Sequence, residues 1–441
     1  MRIALLIVRL AVALALLMFA LDWRAPAYVA WRPLIFTALI VVPLLLILIE
    51  GVLRWHRQRT ASRPDRIASG LVVLTAGLAL LTTIALEAQF EWMRYQVRQA
   101  DPQTLERLGR HMIVGYRDVD ELRELVERRA VAGVFLSPRN VQGRSADALR
   151  QEIAALQEIR RRQNLPPLWI AADQEGGGVS RLSPPLVAQP RIASVVAENL
   201  DPAERRLAIK RYAATQAEGL ATLGVNLNFA PVVDVDHRVS SASDRYTRIS
   251  ERAISSDPQV VATVAETYCT TLAQYDVRCT LKHFPGLGRV VGDTHLDNAD
   301  LPVSADELAK SDWLPFRTVM RHANAFTMLS HVRLTAVDPE RPVSLSRAVV
   351  AGLIRGEWKH DGVLVTDDLS MHAAYRSVDG IARGSVEALN AGVDLILTSY
   401  DWWQYYVVMH ALLAAARNGR LDQAALDRSD ARLWLTRPGA R

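Results

Sequence analysis

From about Leu105 onward the chain alternates. Short β-rich runs are separated by longer stretches that carry apolar residues at helical spacing. The runs are His111–Gly115, Gly133–Leu136, Leu168–Ala172, Val225–Ala230, Val277–His283, Ala325–His331, Gly362–Asp367 and Val393–Thr398. The helical stretches include Asp118–Ala130, Asp147–Gln163, Pro202–Leu223, Gln259–Tyr275 and Val378–Ala391. Asp201 and Pro202 give the third of these a start signal, a capping carboxylate followed by a proline whose missing N–H is not needed. Parallel strands need a crossover, and a helix is the usual one. Strand and helix in turn, eight times over, predict an α/β protein with a (β/α)8 TIM barrel over residues 100–441. The competing architecture is an open doubly wound sheet, but the Gly-rich phosphate turn expected after its first strand is missing.

Barrel enzymes build their sites at the C-terminal ends of the strands. Here those ends carry ionisable groups in phase. They are Asp173 and Glu175 after the third run, Asp234 and Asp236 beyond the fourth, Lys282 and His283 on the fifth, His331 on the sixth, and Asp367 and Asp368 on the seventh. Scattered surface charge would not keep that phase. The stretch Lys282–His295, K-H-F-P-G-L-G-R-V-V-G-D-T-H, is the densest in chemistry. Lysine occurs only at 210, 282, 310 and 359 in a chain rich in arginine, so Lys282 is no solubility filler. Asp293 stands two residues from His295, close enough for a bent loop to let the carboxylate orient the imidazole. Carboxylates facing each other across a pocket suggest glycoside cleavage. Asp367 at a strand end is costly unless paired or functional; its structural reading is a cap for the segment Leu369–Tyr375, which Asp368 could serve equally. A zinc site built from His283, His295 and His331 is disfavoured by the adjacent Lys282 and by the lack of a paired-histidine helix. No metal and no cofactor is expected.

Residues 1–95 differ in kind. Three apolar runs, Ile3–Leu21, Leu34–Leu53 and Ile67–Leu86, are each about as long as a membrane-crossing helix. Arg9 lies in the first run and Glu50 near the end of the second. A charged start followed by Leu10–Leu21 could also be a signal peptide, but no small-x-small cleavage site follows, so a retained helix is expected. Trp23, Trp31, Trp55 and Trp92 lie near the run ends, where interfacial tryptophans sit. Between the second and third runs stand Arg54, Arg57, Arg59, Arg63 and Arg66, against Arg24 and Arg32 in the first loop. The positive-inside rule puts the arginine-rich loop in the cytoplasm and everything after Phe90 outside it. The expectation is a multi-pass inner-membrane protein with an extracytoplasmic barrel. The net charge of +5 is modest and shows no arginine stripe interleaved with aromatics, which argues against nucleic acid as a partner. Two cysteines, Cys269 and Cys279, read as separate buried thiols, with a single bridge as the alternative. Oligomeric state is not legible.

The motifs together resemble the β-N-acetylhexosaminidases of glycoside hydrolase family 3. K-H-F-P-G-L-G-x4-D-T-H at Lys282–His295 carries the resemblance, with D-Q-E-G-G at Asp173–Gly177, L-N-F-A-P-V-V-D at Leu227–Asp234 and E-R-A-I-S-S-D-P at Glu251–Pro258. L-S-H-V at Leu329–Val332, V-T-D-D-L-S-M at Val365–Met371 and A-L-N-A-G-V-D-L at Ala388–Leu395 continue it. The resemblance implies that Asp367 is the nucleophile, that His295 is the general acid/base held by Asp293, and that Asp173, Arg252, Lys282 and His283 bind the sugar. The expected outcome is retaining exo-cleavage of a terminal N-acetylglucosamine from peptidoglycan fragments or related glycans. Only 74 residues follow Asp367, too few for a second domain to donate an acid, so the Asp293–His295 loop must supply it. Departures are Gly178 where the family usually has arginine, and G-L-G for its G-H-G at Gly286–Gly288. Transfer to phosphate, and a non-catalytic membrane-tethered glycan-binding module, are the alternatives.

Overall fold

The computed structural model describes residues 2–57, 63–239, 244–377 and 379–437. It divides into two units, Met1–Arg98 and Gln99–Arg441. Arg59 and the serines from Ser240 to Ser243 lie outside the described residues, as does Val378 at the start of the last expected helix.

The first unit is three helices: α1 Arg2–Ala20, α2 Arg32–Arg57 and α3 Arg63–Arg98. α1 and α2 both pack on α3, and the buried seam is rich in small residues, with Ala13, Ala20, Ala76 and Ala79 fully covered. Small side chains let helix backbones approach where lipid supplies no hydrophobic drive. The large apolar residues point away from the seam, among them Leu44, Leu48, Leu78 and Leu81. Two helical spans, Arg32–His56 and Arg63–Arg98, are long and apolar enough to cross a membrane; α1 is apolar but shorter. Arg9 in α1 turns toward α2. Its guanidinium pairs at 2.5 Å with buried Glu50, which also accepts from Ser69 at 2.5 Å. The two charges that interrupt the apolar runs therefore neutralise each other.

The second unit is the expected barrel. Its strands are β1 Met112–Val114, β2 Gly133–Leu136, β3 Trp169–Ala172, β4 Leu227–Asn228, β5 Arg278–Phe284, β6 Phe326–Leu329, β7 Leu364–Asp368 and β8 Leu395–Thr398. Each pairs in parallel with its neighbours in sequence, and β8 closes on β1. All eight lie within the runs read from sequence or overrun them by a single residue. The helix Pro202–Leu223 starts as expected, with the Asp201 carboxylate accepting from the Ala203 and Glu204 amides at 2.9 Å. Alternate residues of the strands fill the interior: Ile113, Phe135, Trp169 and Ala171, Leu227 and Phe229, Phe326 and Met328, Val363 and Val365, Leu395 and Leu397. Phe135 stacks on Phe229, and Trp169 meets Phe326 edge-on at 5.0 Å.

One sequence reading is corrected. Cys269 and Cys279 are not separate thiols but a disulfide with Cα atoms 5.3 Å apart. The helix Pro258–Ala273 packs its buried face on β5 and brings Cys269 over the start of that strand. Ten residues of separation are enough for the helix end and turn that return the chain to Cys279.

Candidate active site

The interior phase of the strands decides which side chains reach the mouth. Trp169 and Ala171 point inward on β3, so Asp173, two further on, continues that row; Val363 and Val365 do the same for Asp367 on β7. Asp368 points the other way. Its buried carboxylate accepts from Ser399 N and Tyr400 N at 3.0 and 2.6 Å and from Ser370 N at 2.8 Å. Asp368 thus ties β7 to the loop after β8, and Asp367 is left for the pocket. Among the described residues Asp367 caps no helix, and its only backbone donor is its neighbour Asp368 N. Burial works to raise its pKa, but the charges of His283, His331 and His295 and that amide outweigh it, and the carboxyl sits below its usual value.

A network of fixed charges lines the β3–β5 side. Lys282 Nζ lies 2.7 Å from Asp173 and 2.6 Å from Glu175. Arg252 makes a two-pronged contact with the same Glu175, at 3.0 and 2.6 Å. Burial disfavours an ionised Glu175, yet Arg252 and Lys282 outweigh it and hold the carboxyl far below the ordinary range. Burial likewise works against Lys282, and Asp173 and Glu175 outweigh it, so its ammonium holds its proton more tightly than usual. Next to Lys282, His283 is fixed by buried Asp234, which accepts from His283 Nδ1 at 2.7 Å and from Leu287 N at 2.7 Å. His283 Nε2 is therefore turned to Arg252 Nη2, 3.4 Å away. The loop hairpin Gln174–Gly176 with Val179–Ser180 carries Glu175. Gly176 there is required: φ is +94°, and a Cβ would lie 2.0 Å from the Tyr212 hydroxyl.

The loop after β5 carries the second cluster. Gly288 packs so closely that a Cβ would lie 1.7 Å from the Val235 carbonyl oxygen, which pins the loop's start against the strand β4 exit. Asp293 is fully buried and accepts five hydrogen bonds. Its Oδ2 takes Arg245 N at 3.0 Å and Tyr246 N at 2.7 Å. Its Oδ1 takes Thr247 Oγ1 at 2.8 Å, His295 N at 2.9 Å and His295 Nδ1 at 2.8 Å. Burial pushes this carboxyl up, but these donors outweigh it and hold it well below the carboxylate range. The His295 ring is 40% exposed and faces Tyr246 at 5.8 Å. The backbone around His295 also docks near β7: His372 N donates to the His295 carbonyl and Ala373 N to that of Thr294. His331 on the sixth strand end is spent on structure, with Nδ1 on Ser344 Oγ at 2.7 Å and Nε2 on the Asp368 carbonyl at 2.9 Å.

The residues singled out from sequence thus fall into one rim. Asp173, Arg252, Lys282 and His283 form one network, Asp293 and His295 form another, and Asp367 lies within electrostatic reach of His283 and His295. Glu175 and Asp234 stand among the strand-end ionisable groups read from sequence, but with no role assigned, and Thr247 is not among the residues the sequence points to. Thr247 joins the networks: its hydroxyl serves Asp293 and its carbonyl accepts from Arg252 Nη1 at 2.7 Å. Nothing local in its sequence marks it.

Comparison with known proteins agrees with the motifs. Residues 100–435 match the family described as Glycosyl hydrolase family 3 N terminal domain. A beta-hexosaminidase of Xanthomonas oryzae pv. oryzae is 36% identical over 306 residues, covering 69% of this chain and 85% of that protein. A glycoside hydrolase family 3 beta-N-acetylglucosaminidase from a Paenibacillus species superposes with a TM-score of 0.68 and 31% identity, over 75% of this chain and 61% of its own length. A family 3 glycosyl hydrolase of Mycobacterium smegmatis gives 0.67 and 30%, over 78% of this chain and 99% of its own. A closed parallel barrel whose residues 100–435 match the family, with a relative 36% identical, makes the chain a glycoside hydrolase and a member of glycosyl hydrolase family 3.

Proposed function

We propose that the protein is a membrane-anchored, retaining exo-β-N-acetylglucosaminidase acting on peptidoglycan fragments or related glycans. The observation that carries the chemistry is the Asp293–His295 pair on the loop after β5, with Asp367 ending β7. Asp367, ionised, attacks the anomeric carbon. His295, cationic and held through Nδ1, donates its Nε2 proton to the leaving oxygen as the glycosidic bond breaks. In the second half-reaction the neutral imidazole takes a proton from water, the water oxygen attacks the anomeric carbon, and Asp367 leaves. Two displacements retain the configuration. Asp293 stays ionised throughout and offsets the imidazolium charge. Asp173, Lys282, Arg252 and His283 hold the hydroxyls of the terminal sugar; Glu175 and Asp234 fix the cations and imidazole that do so. The N-acetyl preference rests on the hexosaminidase and N-acetylglucosaminidase relatives.

The anchor is residues 1–95 with three membrane helices, α1 included, and the barrel is residues 100–441 on the extracytoplasmic side of the inner membrane. The Cys269–Cys279 bridge supports that side, because disulfides persist in oxidising compartments. Asp367→Asn and His295→Ala should each abolish release of nitrophenol from the N-acetyl-β-glucosaminide in a folded protein. Near-normal turnover in either variant would sink the assignment. A C-terminal alkaline phosphatase fusion should be active; an inactive fusion beside an active cytoplasmic reporter would reverse the topology.

A further inference from the structure

The strand ends after β3 to β7 carry the residues described above. The remaining three, after β8, β1 and β2, carry a different set. Arg117 follows β1, Arg139 follows β2, and Tyr400 and Trp402 follow β8. The two guanidinium carbons lie 5.9 and 5.0 Å from the centre of the Trp402 ring, and Arg139 also lies 5.9 Å from that of Tyr400. Trp402 is almost covered, whereas both arginines and Tyr400, at 48%, are exposed. Among the described residues neither arginine forms an ion pair, although many arginines of the barrel do, including Arg107, Arg144, Arg252, Arg289, Arg355 and Arg432. The nearby carboxylate of Asp368 is occupied by the Ser399 and Tyr400 backbone, and Arg139 instead gives one N–H to the Tyr400 carbonyl at 3.3 Å. Two like charges are thus held together over one indole, and among the described residues neither makes an ion pair. Partial burial and the neighbouring Arg117 work against the charge on Arg139 and outweigh the favourable fields of Tyr400, Asp401 and Asp368. Holding such a pair costs free energy that an incoming anion would recover.

The patch is contiguous with the reaction centre. Asp368, next to Asp367, binds the same Ser399–Tyr400 backbone that leads to Trp402. We infer that Arg117 and Arg139, over Trp402 and beside Tyr400, form a subsite for a carboxylate on the leaving portion of the substrate. The inference rests on the glycosidase reading and adds a substrate class to it: glycans in which the unit after the terminal sugar is acidic. Arginine suits this, since its planar fork matches a carboxylate. Tyr400 supplies an apolar face for the body of that unit.

Binding separates this from turnover. Two non-cleavable thioglycosides of N-acetyl-β-glucosamine, one with a phenyl and one with a 4-(carboxymethyl)phenyl aglycone, are titrated calorimetrically into the full chain in detergent. The native protein should bind the acid more tightly, and the preference should weaken with added salt. R117Q/R139Q should reduce the ratio of the two affinities about 10-fold to 100-fold, the range of charged hydrogen bonds lost. R117K/R139K should keep part of the preference, because charge persists while the fork is lost. An unchanged ratio in R117Q/R139Q, or a native protein that binds both ligands equally, would overturn the subsite. If the native protein bound neither thioglycoside, the glycosidase reading would fall, and the subsite with it.

Discussion

Replacing Glu175 by glutamine tests whether one buried carboxylate organises the sugar-binding side. Glu175 is 6% exposed and meets three charged donors: Lys282 Nζ at 2.6 Å, Arg252 Nη2 at 2.6 Å and Arg252 Nε at 3.0 Å. Glutamine keeps one acceptor oxygen but removes the charge and turns an NH2 group toward a cation. Two buried cations are then left with Asp173 and, for Arg252, the more distant Asp234; Asp173 is itself partly exposed and among the described residues its side chain bonds only Lys282. Breaking a buried ion cluster this way costs about 3–5 kcal/mol. In a domain of this size that lowers Tm by roughly 4–7 °C. The sign with pH follows from the folded-state shift. The Glu175 pKa lies below its ordinary 4.5, so its stabilisation is complete above that value and is lost as pH falls through the folded value. Thermal unfolding followed by circular dichroism at several pH values should show the full gap between native and E175Q at pH 7, narrowing below about pH 4.5. Activity on the N-acetyl-β-glucosaminide should fall mainly through KM. A variant less than about 1 kcal/mol weaker at pH 7, with unchanged kinetics, would refute the view that Glu175 holds Lys282 and Arg252 in place.

Thr247→Val removes one donor from Asp293 and should lower kcat/KM about 10-fold with little change in KM, while Thr247→Ser stays near the native value; equal losses in both would deny the hydroxyl a role. The double replacement of Cys269 and Cys279 by serine should cost about 2–3 kcal/mol in denaturant unfolding, as expected for a short closed loop, and an unshifted midpoint would count against the bridge. Arg9→Leu strands Glu50 in an apolar seam and should reduce the yield of monodisperse protein on detergent gel filtration. R9L/E50L should restore it, since removing both charges removes the unpaired one; no difference between the two variants would argue against the pair.

The barrel was legible because its code is periodic. Strand and helix alternate along the chain, and the residues that close each layer recur every second position within a strand. The same period carries Asp173 and Asp367 upward from Ala171 and Val365, so knowing the strands gives those two side chains their direction. Asp293 and His295 were legible for another reason: two residues on one bent loop form a pair without help from the rest of the fold. Where partners lie far apart in sequence, reading stopped. Glu175 and Arg252 are 77 residues apart, and only the side-by-side pairing of β3, β4 and β5 makes them neighbours. The cysteines failed similarly, since their pairing depends on which face of a helix lies on β5.

Asp293 shows most sharply what the sequence could not carry. As a lone carboxylate beside a histidine it could share the proton or even take it, and the motif does not choose. The fold chooses by surrounding it. Two amides from Arg245 and Tyr246, the Thr247 hydroxyl and the His295 amide all donate to it, in addition to the imidazole. A carboxylate satisfied five times over has little remaining basicity, so Asp293 stays ionised beside the imidazole. The three residues that achieve this come from the loop after β4, not from the motif that holds Asp293. How the carboxylate that holds His295 is itself held is therefore decided by a neighbouring loop. Exchanging that loop should move the pH dependence of cleavage without touching the catalytic pair.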